Sequence, residues 1–198
     1  LTSDVFVVIL PSEPILAIKI YGETHMTLTF LSPQPIHDFT EFSCEDPAMV
    51  EWLQTKARPW HESRVTSVHV GTFEDNPTVV RMFFTLSASS YPVDRLDPYQ
   101  QRILDKDLCR VPMILIGKLA VDNRYTRRGF GTKCVAQACL EATRIRSIGA
   151  AFVAVEPAPN RMAWYQDLGF QRANAKLNFV YLPIQDVEAT FSAAVHQG

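Results

Sequence analysis

Two stretches of contrasting periodicity dominate the chain. Residues 113–121, Met-Ile-Leu-Ile-Gly-Lys-Leu-Ala-Val, are almost wholly apolar, the pattern of a strand covered on both faces. Behind them the spacing changes to three and four. Val135, Cys139, Ala142, Ile145 and Ile148 fall on one face of a helix over 132–148, which Gly149 is expected to end. A second buried strand follows over 150–155, broken by Glu156-Pro-Ala-Pro159. A helix over 160–168 has Asn160 as its cap and Gly169 as its stop. Residues 177–182 read as a closing strand with Pro183 behind it. Upstream, Asp46-Pro47 is an N-cap followed by Pro at the first helical position, and Met49, Val50, Leu53, Ala57 and Trp60 keep helical spacing. Runs 65–73 and 78–87 are β-rich and joined by Glu74-Asp-Asn-Pro77, hence a hairpin. Residues 98–108 are read as a short helix in a polar, proline-punctuated stretch.

This order, αβββαβαβ, predicts a mixed α/β fold with helices on one curved sheet. It occupies 36–185. Residues 1–35 form an extension with strand candidates at 5–10, 15–21 and 26–31, and 186–198 are a tail.

Composition narrows the class. With 198 residues, 47% hydrophobic and 20% charged, the chain is expected to be one ordinary globular domain. No apolar run approaches membrane-spanning length, and no basic segment precedes Val5–Leu10, so no secretory signal is expected. Cys44, Cys109, Cys134 and Cys139 lack metal or redox spacing and read as buried reduced thiols. The five histidines suggest no metal site, and the expected compartment is the cytoplasm. Net charge is −2, but residues 118–176 hold ten Lys/Arg against four Asp/Glu, whereas 1–117 hold nine against fifteen. A basic half fits a polyanionic cofactor and extends to a nucleic-acid substrate; one coenzyme's phosphates account for it equally well.

The chemistry concentrates between strand and long helix, in Asp122-Asn-Arg-Tyr-Thr-Arg-Arg-Gly-Phe-Gly131. Gly129 and Gly131 let the backbone approach a ligand and turn its N–H groups outward. The helix start adds donors and a positive dipole end, and Arg124, Arg127 and Arg128 add charge suited to phosphate. By itself a Gly-X-Gly between strand and helix is also ordinary turn chemistry. No Gly-Lys-Ser/Thr and no third glycine are present, which sets aside the P-loop and the dinucleotide fingerprint.

Together, Leu119-Ala-Val-Asp122, Tyr125-Thr-Arg-Arg-Gly-Phe-Gly131 and Trp164-Tyr-Gln-Asp-Leu-Gly-Phe170 resemble the GNAT superfamily of acyl-CoA-dependent N-acetyltransferases. A narrower likeness, carried by Phe42–Leu53, Phe84–Ala88 and Pro112–Asp122, is to the acetyltransferase toxins of toxin–antitoxin modules. Those enzymes acetylate the α-amine of aminoacyl-tRNA and are held by a ribbon-helix-helix antitoxin. The resemblance covers about 36–183 and implies a largely antiparallel sheet flanked by helices, with splayed central strands holding acyl-CoA. It implies acetyl-CoA as cofactor and a homodimer. It places the pantetheine arm on the main chain of Leu119, Ala120 and Val121. The pyrophosphate would lie on the N–H groups of Arg127, Arg128, Gly129, Phe130, Gly131 and Thr132, and Asn160 would contact the coenzyme arm. Tyr165 would protonate the departing thiolate. One departure is Thr126, where the superfamily usually carries Gln or Arg; since the turn works through main-chain donors, weaker coenzyme binding is the most this implies.

The residues support Tyr165 on chemical grounds as well. Acetyl transfer to an amine passes through an oxyanion, for which a free N–H near Val121 is a candidate donor. It then expels a thiolate, to which a phenol of reference pKa about 10 can donate. Trp164 and Tyr165 cannot face the same way, so Trp164 is assigned to packing and Tyr165 to the cleft; both as plain core aromatics is the alternative. No carboxylate stands out as general base. Glu156 could serve through water, but reads better as a solvated turn residue. An α-amine, with reference pKa about 7.7–8.0, needs little help. Asp122 is expected to brace the turn. Two other functions fit the residues: N-acetylation of a small amine or protein amine, and a catalytically idle coenzyme- or antitoxin-binding module.

Overall fold

The computed structural model describes residues 17–18, 27–174 and 177–195. The strand candidate at 5–10 lies outside them. The short strand β1 (Ala17–Ile18) pairs antiparallel with β2 (Leu28–Leu31), and β2 with β3 (Ser67–Phe73). Between β2 and β3 come α1 (Pro47–Thr55) and α2 (Ala57–Glu62). Asp46 caps α1 by accepting from Ala48 N, with Pro47 in the first turn, as the sequence predicts. The single helix expected through Trp60 is broken at Lys56. Pro59 has no N–H to give the Thr55 carbonyl and its ring would collide with it, so a continuous helix is excluded. The second helix then closes on a Schellman turn, with Arg64 N bonded to His61 O and Val65 N to Trp60 O. Arg64 takes φ 59° to make it.

Strands β4 (Met82–Pro92) and β5 (Arg110–Val121) follow, separated by α3 (Pro98–Ile103). Then come α4 (Phe130–Arg144), β6 (Phe152–Val155), α5 (Met162–Asp167), β7 (Gln171–Arg172), β8 (Val180–Pro183) and α6 (Ile184–Val195). The strand order is β1-β2-β3-β4-β5-β6-β8-β7. β5 and β6 run parallel, whereas β6–β8 and β7–β8 are antiparallel.

Further expectations need correction. The long helix ends at Arg144, not Gly149. Ile145 N already bonds at i−3 to Ala142 O, Ser147 and Gly149 are weak helix formers, and Arg146 is drawn into an ion pair with Glu188 at 2.7 Å. Ile148 is therefore exposed rather than on the helix's buried face, which Val135, Cys139 and Ala142 do form. The helix α5 has Arg161, not Asn160, at its N-cap, and no side chain caps it. Finally, residues 186–195, read as a tail, are helical. Ile184, Val187, Phe191 and Val195 recur at three and four, and Val187 is buried.

The chain folds as two compact units. Among the described residues, the first (17–18, 27–85, 118–137, 191–195) is centred on Phe39, Phe42, Trp52, Leu53, Val68, Val70 and Phe83. The second (86–117, 138–190) is centred on Leu96, Val111, Met113, Phe152, Ala154, Phe179 and Tyr181. Burying each large apolar side chain contributes about 1.5–3 kcal/mol, so either cluster sets its strands' faces. In the second unit Asp97 caps α3, accepting from Tyr99 N and Gln100 N, and also accepts from the Tyr181 hydroxyl. All four cysteines are free; Cys134 and Cys139 are buried, but Cys44 is half-buried and Cys109 exposed, because Cys109 precedes β5 outside the core. Among the described residues no helix is long and apolar enough to cross a membrane, and no three potential metal ligands converge.

Candidate functional site

In the first unit, β5 ends at Val121 and the chain turns through residues 122–129 into α4. Asp122 opens the turn and is wholly buried. Its carboxylate accepts from Ser43 N (3.2 Å), Arg124 N (3.0 Å), Arg124 Nε (2.8 Å) and Arg124 Nη2 (2.8 Å). Burial works against the charge, yet these hydrogen bonds outweigh it and hold the Asp122 carboxyl below its ordinary value. Asp122 N donates to Arg81 O at 2.8 Å, and Asn123 N to Ser43 O at 2.8 Å. The expected bracing role of Asp122 is thus seen in detail.

Beyond the brace the backbone enters the left-handed region twice, at Arg127 (φ 58°) and Gly129 (φ 78°). A side chain added at Gly129 would meet no atom within 4 Å, so the turn is open there. Lys133 N donates to Gly129 O at 3.2 Å, the first bond of the helix. The N–H groups of Phe130, Gly131 and Thr132 consequently have no carbonyl acceptor within α4. Gly131 lies inside the first helical turn rather than before it. Phe130 is buried against Phe73 and Tyr125 (centroids 5.3 and 5.9 Å), which pins the helix start while leaving its main chain to act. Arg127 and Arg128 are exposed.

Arg124 behaves differently from its neighbours. Its guanidinium is bound to Asp122, lies 3.6 Å from Glu41 Oε2 and donates to Glu41 O at 2.7 Å, so it is engaged by the protein and is not an open phosphate ligand. Arg144 is likewise paired with Glu141 and Arg146 with Glu188, which thins the basic half. The left-handed Arg127 carries a testable cost. An L-residue there is disfavoured by about 1–2 kcal/mol, part of which glycine's extra chain entropy offsets. Arg127→Gly is expected to raise unfolding free energy by about 0.5–1 kcal/mol, read as a higher denaturant midpoint at unchanged slope.

Leu119, Ala120 and Val121 form the end of β5. The β5–β6 ladder covers only Met113–Ile116 against Phe152–Val155, and β5 runs five residues further. The Lys118 amide is taken by the Thr85 hydroxyl at 2.9 Å.

In the second unit, Tyr165 owes its place to the end of α5. Gly169 N bonds to Gln166 O and Phe170 N to Tyr165 O, a Schellman closure with Gly169 at φ 93°. The Phe170 ring folds back on Tyr165 at 5.5 Å, edge-on. Leu-Gly-Phe after the tyrosine is therefore the helix stop that sets its ring. Tyr165 is buried and Trp164, 4.7 Å away between centroids, is half-buried. By exposure, then, the tighter packing belongs to Tyr165. Asn160 is exposed. Nothing in residue spacing signals Glu41 or Arg81, the distant partners of the turn.

The chain has the GNAT fold. No protein-family model matches it. Among solved structures, it is similar to a Tyr-to-Phe mutant of KacT (TM-score 0.74, 22% identity, 83% of this chain and 99% of that one). It is also similar to AtaT complexed with acetyl-methionyl-tRNAfMet (TM-score 0.74, 21% identity, 84% and 99%). A third likeness is to a Tyr-to-Phe mutant of the AtaT toxin bound to the C-terminus of the antitoxin AtaR and acetyl-CoA (TM-score 0.68, 20% identity, 83% and 98%).

Proposed function

We propose that the protein is an acetyl-CoA-dependent N-acetyltransferase, a toxin that acetylates the α-amine of aminoacyl-tRNA and so blocks translation. The observation that carries this reading is the fold match, which takes in 99% of the AtaT chain solved with acetyl-methionyl-tRNAfMet and 98% of the one solved with AtaR and acetyl-CoA. The chain's own residues fit the coenzyme. Two left-handed residues, an open Gly129, a helix start whose first three N–H groups have no acceptor within α4 and two exposed arginines make an anion cradle.

Acetyl-CoA supplies the acetyl group as a reactive thioester. The N–H groups of Arg127, Arg128, Gly129, Phe130, Gly131 and Thr132 bind the pyrophosphate, with the Arg127 and Arg128 side chains assisting. The main chain of Leu119, Ala120 and Val121 aligns the pantetheine arm, which Asn160 also contacts. Tyr165 holds at Oη the proton required when the sulfur departs. No general base is assigned, since an α-amine is already partly neutral near pH 8. A ribbon-helix-helix antitoxin, a homodimer and a cytoplasmic location belong to the same reading.

The test is transfer of radiolabelled acetyl groups from acetyl-CoA into total aminoacyl-tRNA. Label in the tRNA fraction is expected. Coenzyme binding with label only in small amines or protein would replace tRNA as the acceptor, and binding without any transfer would point to an idle module.

A further inference from the structure

The brace around Asp122 extends further than a turn needs. Arg124 lies on Asp122 through two guanidinium bonds and on the Glu41 carbonyl through a third. Glu41 Oε2 lies 3.2 Å from Arg81 Nη2 and 3.6 Å from Arg124 Nη1. Arg81 is nine-tenths buried, and among the described residues its Nη1 has no hydrogen-bond partner. Its guanidinium carbon stands 5.8 Å from the Tyr125 ring centroid, as does that of Arg128. Tyr125 in turn packs on Phe73 at 4.9 Å and on Phe130 at the start of α4. Two chains of contact thus converge on the turn: a polar one through Asp122 and Arg124 to residues 41–43, and an aromatic one from Arg81 through Tyr125 to Phe130.

We propose that Arg124 is a positioning residue for the anion-binding turn: with Glu41 and Arg81 it latches residues 122–125 so that the N–H groups of 127–132 are held in binding geometry. This rests on the coenzyme reading above. The physical reason is preorganisation. A turn with two left-handed residues is costly to order, and unless the fold holds it in place the ordering cost falls on ligand binding. Three bonds from a planar guanidinium fix orientation as well as position, which a lysine ammonium cannot reproduce. Arg124 acts through the backbone and touches no phosphate.

The experiment uses the full chain with Arg124→Lys, Arg124→Met and Glu41→Gln. Glu41→Gln weakens both ion pairs yet keeps the Glu41 carbonyl, so it guards against a variant that fails to fold. Two readouts are taken: coenzyme A affinity with the KM and kcat for acetyl-CoA, and amide hydrogen exchange without ligand at Asn123, Tyr125 and Lys133, whose N–H groups are bonded at the two ends of the turn. For the Arg124 variants the proposal expects exchange faster by about tenfold, and Kd and KM weaker by about tenfold, the equivalent of about 1.4 kcal/mol, with kcat at saturation within about twofold. Glu41→Gln should move the same quantities in the same direction by less, and Lys should not rescue Arg124. Unchanged exchange at Asn123, Tyr125 and Lys133 in the Arg124 variants overturns the latch, whatever the coenzyme does. So does altered melting with unchanged KM, the mark of a merely structural contact. Wild type that binds no coenzyme A refutes the coenzyme reading and, with it, the role assigned to Arg124 in binding; the exchange data then report only whether the turn is latched.

Discussion

Tyr165→Phe is expected to lower turnover by about 10²–10⁴-fold, the usual worth of a positioned proton donor, while coenzyme affinity stays within about twofold. The substitution removes one oxygen and leaves the ring. The ring would keep its edge-on contacts with Phe170 and Trp164, and the Schellman bonds of α5 come from main chain only. Steady-state transfer of labelled acetyl, beside coenzyme titration and a thermal melt, separates the effects. If kcat falls less than about tenfold, Tyr165 is not the proton donor.

Asp122→Ala is expected to cost stability more than any other single change at the turn. The carboxylate is buried and is the acceptor for two main-chain N–H groups and the Arg124 guanidinium. Leaving these part-buried donors without an acceptor costs up to about 1–3 kcal/mol for each. The Arg124 side chain is 48% exposed, so water takes over part of its loss. A net cost of about 3 kcal/mol follows, or roughly 6–12 °C in melting temperature at this chain length. The sign of the pH dependence is set by the lowered carboxyl. Its stabilisation is complete above the ordinary value of 3.8 and is lost as pH falls through the folded-state value below it. The parent should thus show a steeper loss of stability below about pH 4 than Asp122→Ala, compared by melts at stepped pH.

The sequence by itself determined the elements whose cause is local. The Asp46-Pro47 start of α1, the Gly169 stop of α5 and the buried part of β5 each depend on residues within four or five positions, or on an apolar pattern that suits a covered strand; of the apolar run 113–121, Met113, Ile114 and Ile116 are buried and 117–121 are not. The glycine turn ahead of a helix start, proposed above as an anion site, was also legible, because Gly129 and the start of α4 occupy adjacent positions. Some misses were also local and legible: Pro59 denying Thr55 its donor, and the apolar spacing of α6. What only the tertiary structure decided depends on distance. Arg124 reads as one more cation for phosphate until Asp122, Glu41 and Ser43 are seen around it. Its Glu41 contact spans 83 residues and the Asp122–Ser43 bond spans 79. No periodicity records such pairings, since a buried carboxylate and its donors are matched by where strands and loops meet, not by their order along the chain.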